Sequence, residues 1–189
     1  MALTAPPNAK SGAEFSDAER RELVALARQA IALAFEEKSP PIEDVPERLL
    51  VPRGVFTTLM LEGRLRGCVG HAEAVQPLAQ AVISTAISAA FRDPRFSPLT
   101  PEELPSVRIS LNVLSAIFPI APEQIELGRH GLLVSLGNRR GLLLPEVPLH
   151  MDWNREMFLQ QTCIKAGLPP DAWQHGAILE AFTAEGFGE

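Results

Sequence analysis

The stretch GVFTTLMLEGRLRGCV, residues 54–69, decides the architecture. Residues 54–61, rich in Thr and Leu with Val55 and Phe56, and residues 64–69 are strand-like runs, and Glu62-Gly63 stands between them. Two such runs joined by two turn-forming residues read as a β-hairpin. Downstream, residues 107–115 alternate: Val107, Ile109, Leu111 and Val113 face one way, and Arg108, Ser110 and Asn112 the other. A period of two places apolar and polar side chains on opposite faces of a half-buried strand. Residues 131–136 and 141–144 form a second hairpin around Gly137-Asn138-Arg139-Arg140, and residues 177–187 alternate weakly enough to give one last strand.

Helices stand between these groups. Ser16-Asp17-Ala18-Glu19 is a capping box. Leu23, Leu26, Ala27, Ala30, Ile31, Ala34 and Phe35 then recur at helical spacing until Ser39-Pro40-Pro41. Pro77 opens a second helix that runs to about Phe91 with many small residues, which permits close approach to a sheet. Asp152 is expected to cap a third helix, ending near Gly167. Strands linked by hairpins, with helices between the groups, argue for α+β with a mostly antiparallel sheet flanked by helices rather than a doubly wound fold. Residues 1–15, rich in Pro, Ala, Gly and Ser, read as a disordered leader, and residues 16–189 as one domain.

Composition narrows the class. With 189 residues, 46% hydrophobic and 21% charged, the chain is long enough to bury a core without staples. The net charge is −6, whereas a protein built for duplex nucleic acid is usually basic. Two cysteines, Cys68 and Cys163, make no disulfide framework. No secretory signal opens the chain. Its longest apolar run, residues 81–91, is interrupted by Ser84, Thr85 and Ser88 and falls short of the roughly 20 residues a membrane helix needs. The expectation is a cytoplasmic protein with reduced thiols and no membrane partner.

The densest chemistry lies in Arg64-Leu65-Arg66-Gly67-Cys68-Val69-Gly70-His71. On a regular strand Arg64, Arg66 and Cys68 share a face, and positive charge beside a cysteine favours the thiolate. The plainer reading is a small buried cysteine with two solvated arginines. Cys68 and His71 have C-x-x-H spacing, but a zinc site needs three or four ligands and no recognised spacing supplies the others, so neither metal nor cofactor is expected.

A second cluster, Phe91-Arg92-Asp93-Pro94-Arg95-Phe96, follows a helix. Asp93 can orient a guanidinium to hold a carboxylate or phosphate, or the pair can be an ordinary surface contact. Asn112 and Ser110 can line a pocket or face water. His130 suits acid–base work by its ordinary pKa, although a lone histidine is commonly a packing residue. Glu146, held between Pro145 and Pro148, is a candidate base or a turn cap. The chain has no G-x-G-x-x-G, P-loop, G-x-S-x-G or H-E-x-x-H, which disfavours Rossmann dehydrogenases, P-loop NTPases, α/β-hydrolases and zincins.

Several of these segments, in order, resemble the AMMECR-type domain family. Leu65-Arg66-Gly67-Cys68-Val69-Gly70 is similar to its L-R-G-C-[IV]-G signature, and Asp93-Pro94-Arg95-Phe96 with Pro98 and Glu103-Leu104 to its D-x-R-F-x-P…E-L segment. Residues 107–115 resemble its I-S-x-x-V-L-S strand, and His130-Gly131-Leu132 and Gly141-Leu142-Leu143-Leu144-Pro145 its H-G-L and G-L-L-L-P elements. Residues 158–173 are similar to the bacterial and archaeal branch, whose bacterial members are called AmmeMemoRadiSam system protein A. The likeness covers roughly residues 18–187. Two places depart from the family pattern. Glu146 stands where relatives have Gln in L-P-Q-V, and Met151-Asp152-Trp153 where they have G-W-D.

The resemblance implies an α+β fold with a larger and a smaller lobe and a cleft between them, and association with Memo-like and radical-SAM proteins. It brings no established chemistry, so the site rests on the residues. One reading is an enzyme or ligand-binding site for a small anionic molecule, with Cys68 and Asp93 catalytic and Arg66, Arg95, Asn112 and His130 binding substrate. Another is a non-catalytic partner module marked by an exposed apolar patch. Nucleic-acid binding through Arg64, Arg66, Arg92 and Arg95 is disfavoured by the acidic balance.

Overall fold

The computed structural model describes residues 14–42 and 45–189. They fall into two compact units. The first comprises residues 14–114 with Glu185–Glu189, and the second is Ser115–Ala184. Most of the expected leader lies outside the described residues, but Phe15 is buried in a core. Among the described residues no helix is long and apolar enough to cross a membrane.

In the first unit, helix α1 (Asp17–Ala34) begins with the expected capping box. The Ser16 hydroxyl accepts from the Glu19 N–H, and the Glu19 carboxylate accepts from Ser16. Strands β1 (Val55–Leu61) and β2 (Arg64–His71) form the hairpin. Glu62 and Gly63 both have positive φ, 51° and 76°, as a twist-compatible two-residue turn requires. Helix α2 (Leu78–Phe91) follows, with Pro77 just outside it as the cap residue, then β3 (Val107–Leu114). The sheet order is β2-β1-β3-β8, where β8 is Ala184–Gly188. The inward faces of β1 and β3 carry Val55, Thr57, Leu59, Val107, Ile109, Leu111 and Val113, all buried. These join Leu23, Ala27, Ile31, Val82, Ala86 and Ala89 from α1 and α2 in one core. Thr57 is the polar exception, and its hydroxyl meets that of Thr85 on α2 at 2.8 Å.

The second unit has its own sheet, β4-β7-β5-β6, built from Phe118–Pro119, Ile178–Phe182, Gly131–Leu136 and Arg139–Leu143. Helix α3 (Val147–His150) is a single turn, and α4 (Arg155–Lys165) contributes Phe158, Leu159 and Cys163 to the cores beneath the sheet. The α+β reading with antiparallel pairing is therefore the observed class.

Three local expectations need correction. The second hairpin turns on Gly137-Asn138 alone, because Arg139 and Arg140 already pair with Leu136 and Ser135. Asp152 does not cap α4. Its backbone is left-handed at φ 53°, where α3 has just ended, and Asn154 in extended conformation accepts from the Met157 N–H at 2.8 Å. The tail is not one strand. It breaks at Thr183, so that β7 joins the second sheet and β8 the first.

Candidate functional site

Cys68 owes its position to an irregularity in β2. From the Leu61–Arg64 pair an unbroken register would set Cys68 opposite Thr57, on the buried face. A bulge beside Leu59 and Met60 leaves Arg66 without a partner, so Gly67 pairs with Leu59 and Cys68 with Thr58. Gly67 takes the inward position because a Cβ there would lie 2.1 Å from the Ala89 carbonyl oxygen of α2. Cys68 is thereby turned to the outer face, half-buried. The bulge also removes Arg64 from that face: it pairs with Leu61, two residues from the inward Leu59. The expected common face of Arg64, Arg66 and Cys68 therefore does not form.

The outer face carries two cross-strand rows. Cys68, Thr58 and Ser110 lie opposite one another across β2, β1 and β3, and Gly70, Phe56 and Asn112 form the next row. Directly opposed side chains are close enough to interact, and the Thr58 hydroxyl donates to Cys68 Sγ at 3.4 Å. Asn112 thus shares the face of Cys68. His71 belongs to the opposite parity, paired with the buried Val55. The C-x-x-H spacing therefore does not converge on one ligand, and no metal-binding group of His, Cys, Asp and Glu occurs among the described residues.

Asp93 and Arg95 meet Cys68 through its backbone. β2 ends the sheet, and the outward N–H of Cys68 donates to Asp93 Oδ2 at 2.8 Å, while its carbonyl accepts from Arg95 Nη2 at 3.1 Å. Asp93 Oδ1 accepts from the Arg95 N–H and from Nε, at 3.2 and 2.9 Å, and Oδ2 also accepts from Nη2 at 2.7 Å. Asp93 is only 5% exposed. Its carboxyl is held well below the usual carboxylate range, chiefly by the Arg95 guanidinium and, against the opposing effect of burial, by the two backbone N–H groups. Both carboxylate oxygens are engaged. The Arg95 side chain is 54% exposed, lies over the Phe96 ring, and uses neither N–H of Nη1 in these contacts.

Arg66 is more fully committed. Nε and Nη2 pair with the Glu103 carboxylate, both at 2.9 Å, and Nη1 and Nη2 donate to the Ser97 and Pro98 carbonyls. Glu103 is held low in pKa first by Arg66, then by the Thr100 N–H. The loop after α2 and strand β2 are therefore bolted together reciprocally, each sending one arginine into the other.

His130 lies in the second unit. Its Nδ1 accepts from the Glu126 N–H at 3.1 Å and its ring stands edge-on to Phe118, while burial pushes its pKa down. These contacts close the turn before β5. Glu146 precedes α3, and its carbonyl accepts from the His150 N–H. Cys163 is buried with Val134 and Leu168, its thiol pushed up in pKa by that burial, and both cysteines are free. Sequence reasoning missed Thr58 and Glu103. The hairpin turn alone points to Thr57 rather than Thr58, and Glu103 lies 37 residues from Arg66.

The AMMECR1 family model matches residues 24–187. A protein of Thermofilum pendens is 41% identical over 187 residues, covering 88% of each chain. One of Methanothermobacter thermautotrophicus is 44% identical over 170 residues, covering 85% of this chain and 88% of its own. The crystal structure of an uncharacterized protein, PH0010, from Pyrococcus horikoshii superposes with a TM-score of 0.81 at 39% identity over 93% of both chains. The signature segments noted in the sequence, Arg66 and Cys68 in the bulged strand and Asp93 with Arg95 against its edge, thus sit within a match spanning nearly the whole chain, and the chain belongs to the AMMECR1 family.

Proposed function

We propose that the outer face of the first sheet around Cys68 binds a small anionic molecule, as substrate or as ligand. Cys68 Sγ is the reacting or contacting atom and Arg95 the anchor for negative charge. One observation carries this reading. The backbone of Cys68 is gripped at both its N–H and its C=O while its side chain stays half-accessible beside a hydroxyl donor. The grip fixes where the strand holds the residue, and the half-accessible Sγ beside the Thr58 hydroxyl is what a ligand would meet. Asp93 and Arg66 are positioning residues in this reading, since their hydrogen-bonding groups are spent on the strand and loop. Ser110 and Asn112 provide polar contacts on the same face.

The test compares alkylation of Cys68 by iodoacetate and by iodoacetamide, one anionic and one neutral. Arg95 should favour the anion, so the rate ratio should fall severalfold in Arg95→Gln, and the neutral reagent reports any change in accessibility. Cys68→Ser separates labelling at Cys163. An unchanged ratio, or a Cys68 inert in the folded protein, overturns the reading. A second reading, a module working with Memo-like and radical-SAM proteins, draws on Leu149, Met151 and Ile164, large apolar side chains exposed on the second unit. Capture of those proteins by the wild type, lost in Leu149→Asp, is its test.

A further inference from the structure

The Asp93–Arg95 pair answers a problem set by the topology. β2 ends its sheet, and Cys68 and Thr58 face each other in a pair whose backbone groups point away from one another. The outward N–H and C=O of Cys68 are therefore the groups that an added strand would use. Asp93 supplies an acceptor where a neighbouring strand would place a carbonyl, and Arg95 a donor where it would place an N–H. The side chains imitate one residue of a missing strand.

Two further devices protect the same stretch. The bulge leaves Arg66 unpaired and breaks the ladder two residues away. Arg66 then fastens the following loop through Glu103, Ser97 and Pro98. Burying the Asp93 carboxylate carries a desolvation cost that an apolar edge contact would avoid. Occupation of both Cys68 backbone groups gives that buried charge a purpose.

We propose that the Asp93–Arg95 clasp guards the β2 edge against a second copy of this chain. An antiparallel edge is self-complementary. Two copies related by a two-fold axis at Cys68 would exchange N–H and C=O bonds between their Cys68 residues, which is the hydrogen-bonded pair of an antiparallel ladder. While the clasp is closed those groups are taken. When it is removed, the edge is open for pairing between copies. This proposal does not depend on the thiol's reactivity.

Light scattering under reducing conditions, from dilute to concentrated solution, compares the wild type with Asp93→Ala and Arg95→Ala. Asp93→Ala, which frees the Cys68 N–H and removes the carboxylate that holds Arg95 against the carbonyl, should show a mass rising with concentration toward twice the wild-type value, whereas Arg95→Ala, in which Asp93 still takes the N–H, should keep the wild-type mass. Hydrogen exchange at the Cys68 amide locates the contact: protected in the wild type at every concentration, exposed in dilute Asp93→Ala, and protected again when that variant is concentrated. A folded Asp93→Ala with the wild-type mass throughout overturns the proposal, as does association without renewed protection at Cys68. If Asp93→Ala loses its circular dichroism, Asp93→Ser decides, because its hydroxyl, one bond shorter, leaves the Cys68 N–H free while still offering Arg95 a polar neighbour.

Discussion

A buried carboxylate with four hydrogen bonds makes the fold sensitive to acid in a way whose sign is fixed. Asp93 is ionised in the folded protein because Arg95 and two backbone N–H groups stabilise the anion more than burial disfavours it. Its folded pKa is depressed relative to the unfolded value of about 3.9. The stabilisation is therefore complete above that value and fades as the pH falls toward the folded one, because the unfolded chain takes up the proton first. A hydrogen bond to a charged group contributes about 1.5–3 kcal/mol. Asp93→Asn, unfolded with urea in dilute solution, should lose about 2 kcal/mol at neutral pH. The gap to the wild type should narrow steadily below about pH 4. A gap that stays constant with pH would mean that the charge itself contributes nothing. Cys163 behaves in the opposite way at this scale: burial, with a smaller push from the Asp171 carboxylate, raises its pKa and keeps its thiol protonated.

At the scale of elements, two glycines in one hairpin are needed for different physical reasons. Gly63 has φ 76° and no atom within 4 Å of where a Cβ would stand, so its requirement is conformational alone. Gly67 has the reverse problem, a helix carbonyl 2.1 Å from its missing Cβ. Gly63→Ala should cost about 1–2 kcal/mol, the penalty of left-handed backbone. Gly67→Ala forces α2 off the sheet or undoes the bulge and should cost about 3 kcal/mol, the upper end of overpacking. Denaturation midpoints rank the two, and equal losses would show that α2 yields easily. The hairpin itself was legible because turn residues and alternation are local signals, as were the Ser16 capping box and the alternation of β3. The bulge was not, since nothing in Arg64-Leu65-Arg66 marks which residue drops out of register. What selects it is α2, which needs Gly67 beneath Ala89. A separation of 37 residues hid Glu103 from Arg66, and the choice of Asn154 over Asp152 was hidden by α3, a single turn too short to show a helical period. His130 was visible as a residue but not as the ring that closes a turn onto Glu126.

At the scale of the whole molecule, arginines act as internal fasteners in an acidic protein. Arg20 joins Glu185, Arg66 joins Glu103, Arg95 joins Asp93, and Arg28 joins Glu189. The pairing leaves the excess of 23 acidic over 17 basic residues as the net charge of −6. Arg28 shows the principle at its widest reach. From α1 it donates to the Leu104 and Val107 carbonyls at the start of β3, and Nε pairs with Glu189 at 2.8 Å. The Glu189 carboxylate also accepts from the Ile109 N–H. One planar group therefore ties the first helix, the third strand and the segment after β8, elements as far apart as 161 residues. A lysine cannot reproduce that fork, because an ammonium is a point donor. Arg28→Ala should destabilise the first unit by about 2 kcal/mol, leaving two carbonyls and a carboxylate without their donor, and Arg28→Lys should recover less than half. Glu189→Gln alone should cost less, since the carbonyl bonds persist. The double variant should fall short of the sum of the single losses by about 0.5–1.5 kcal/mol, a coupling no larger than the Glu189→Gln loss itself. Strict additivity in that cycle would mean that Arg28 serves the two carbonyls and that Glu189 is a bystander at the surface.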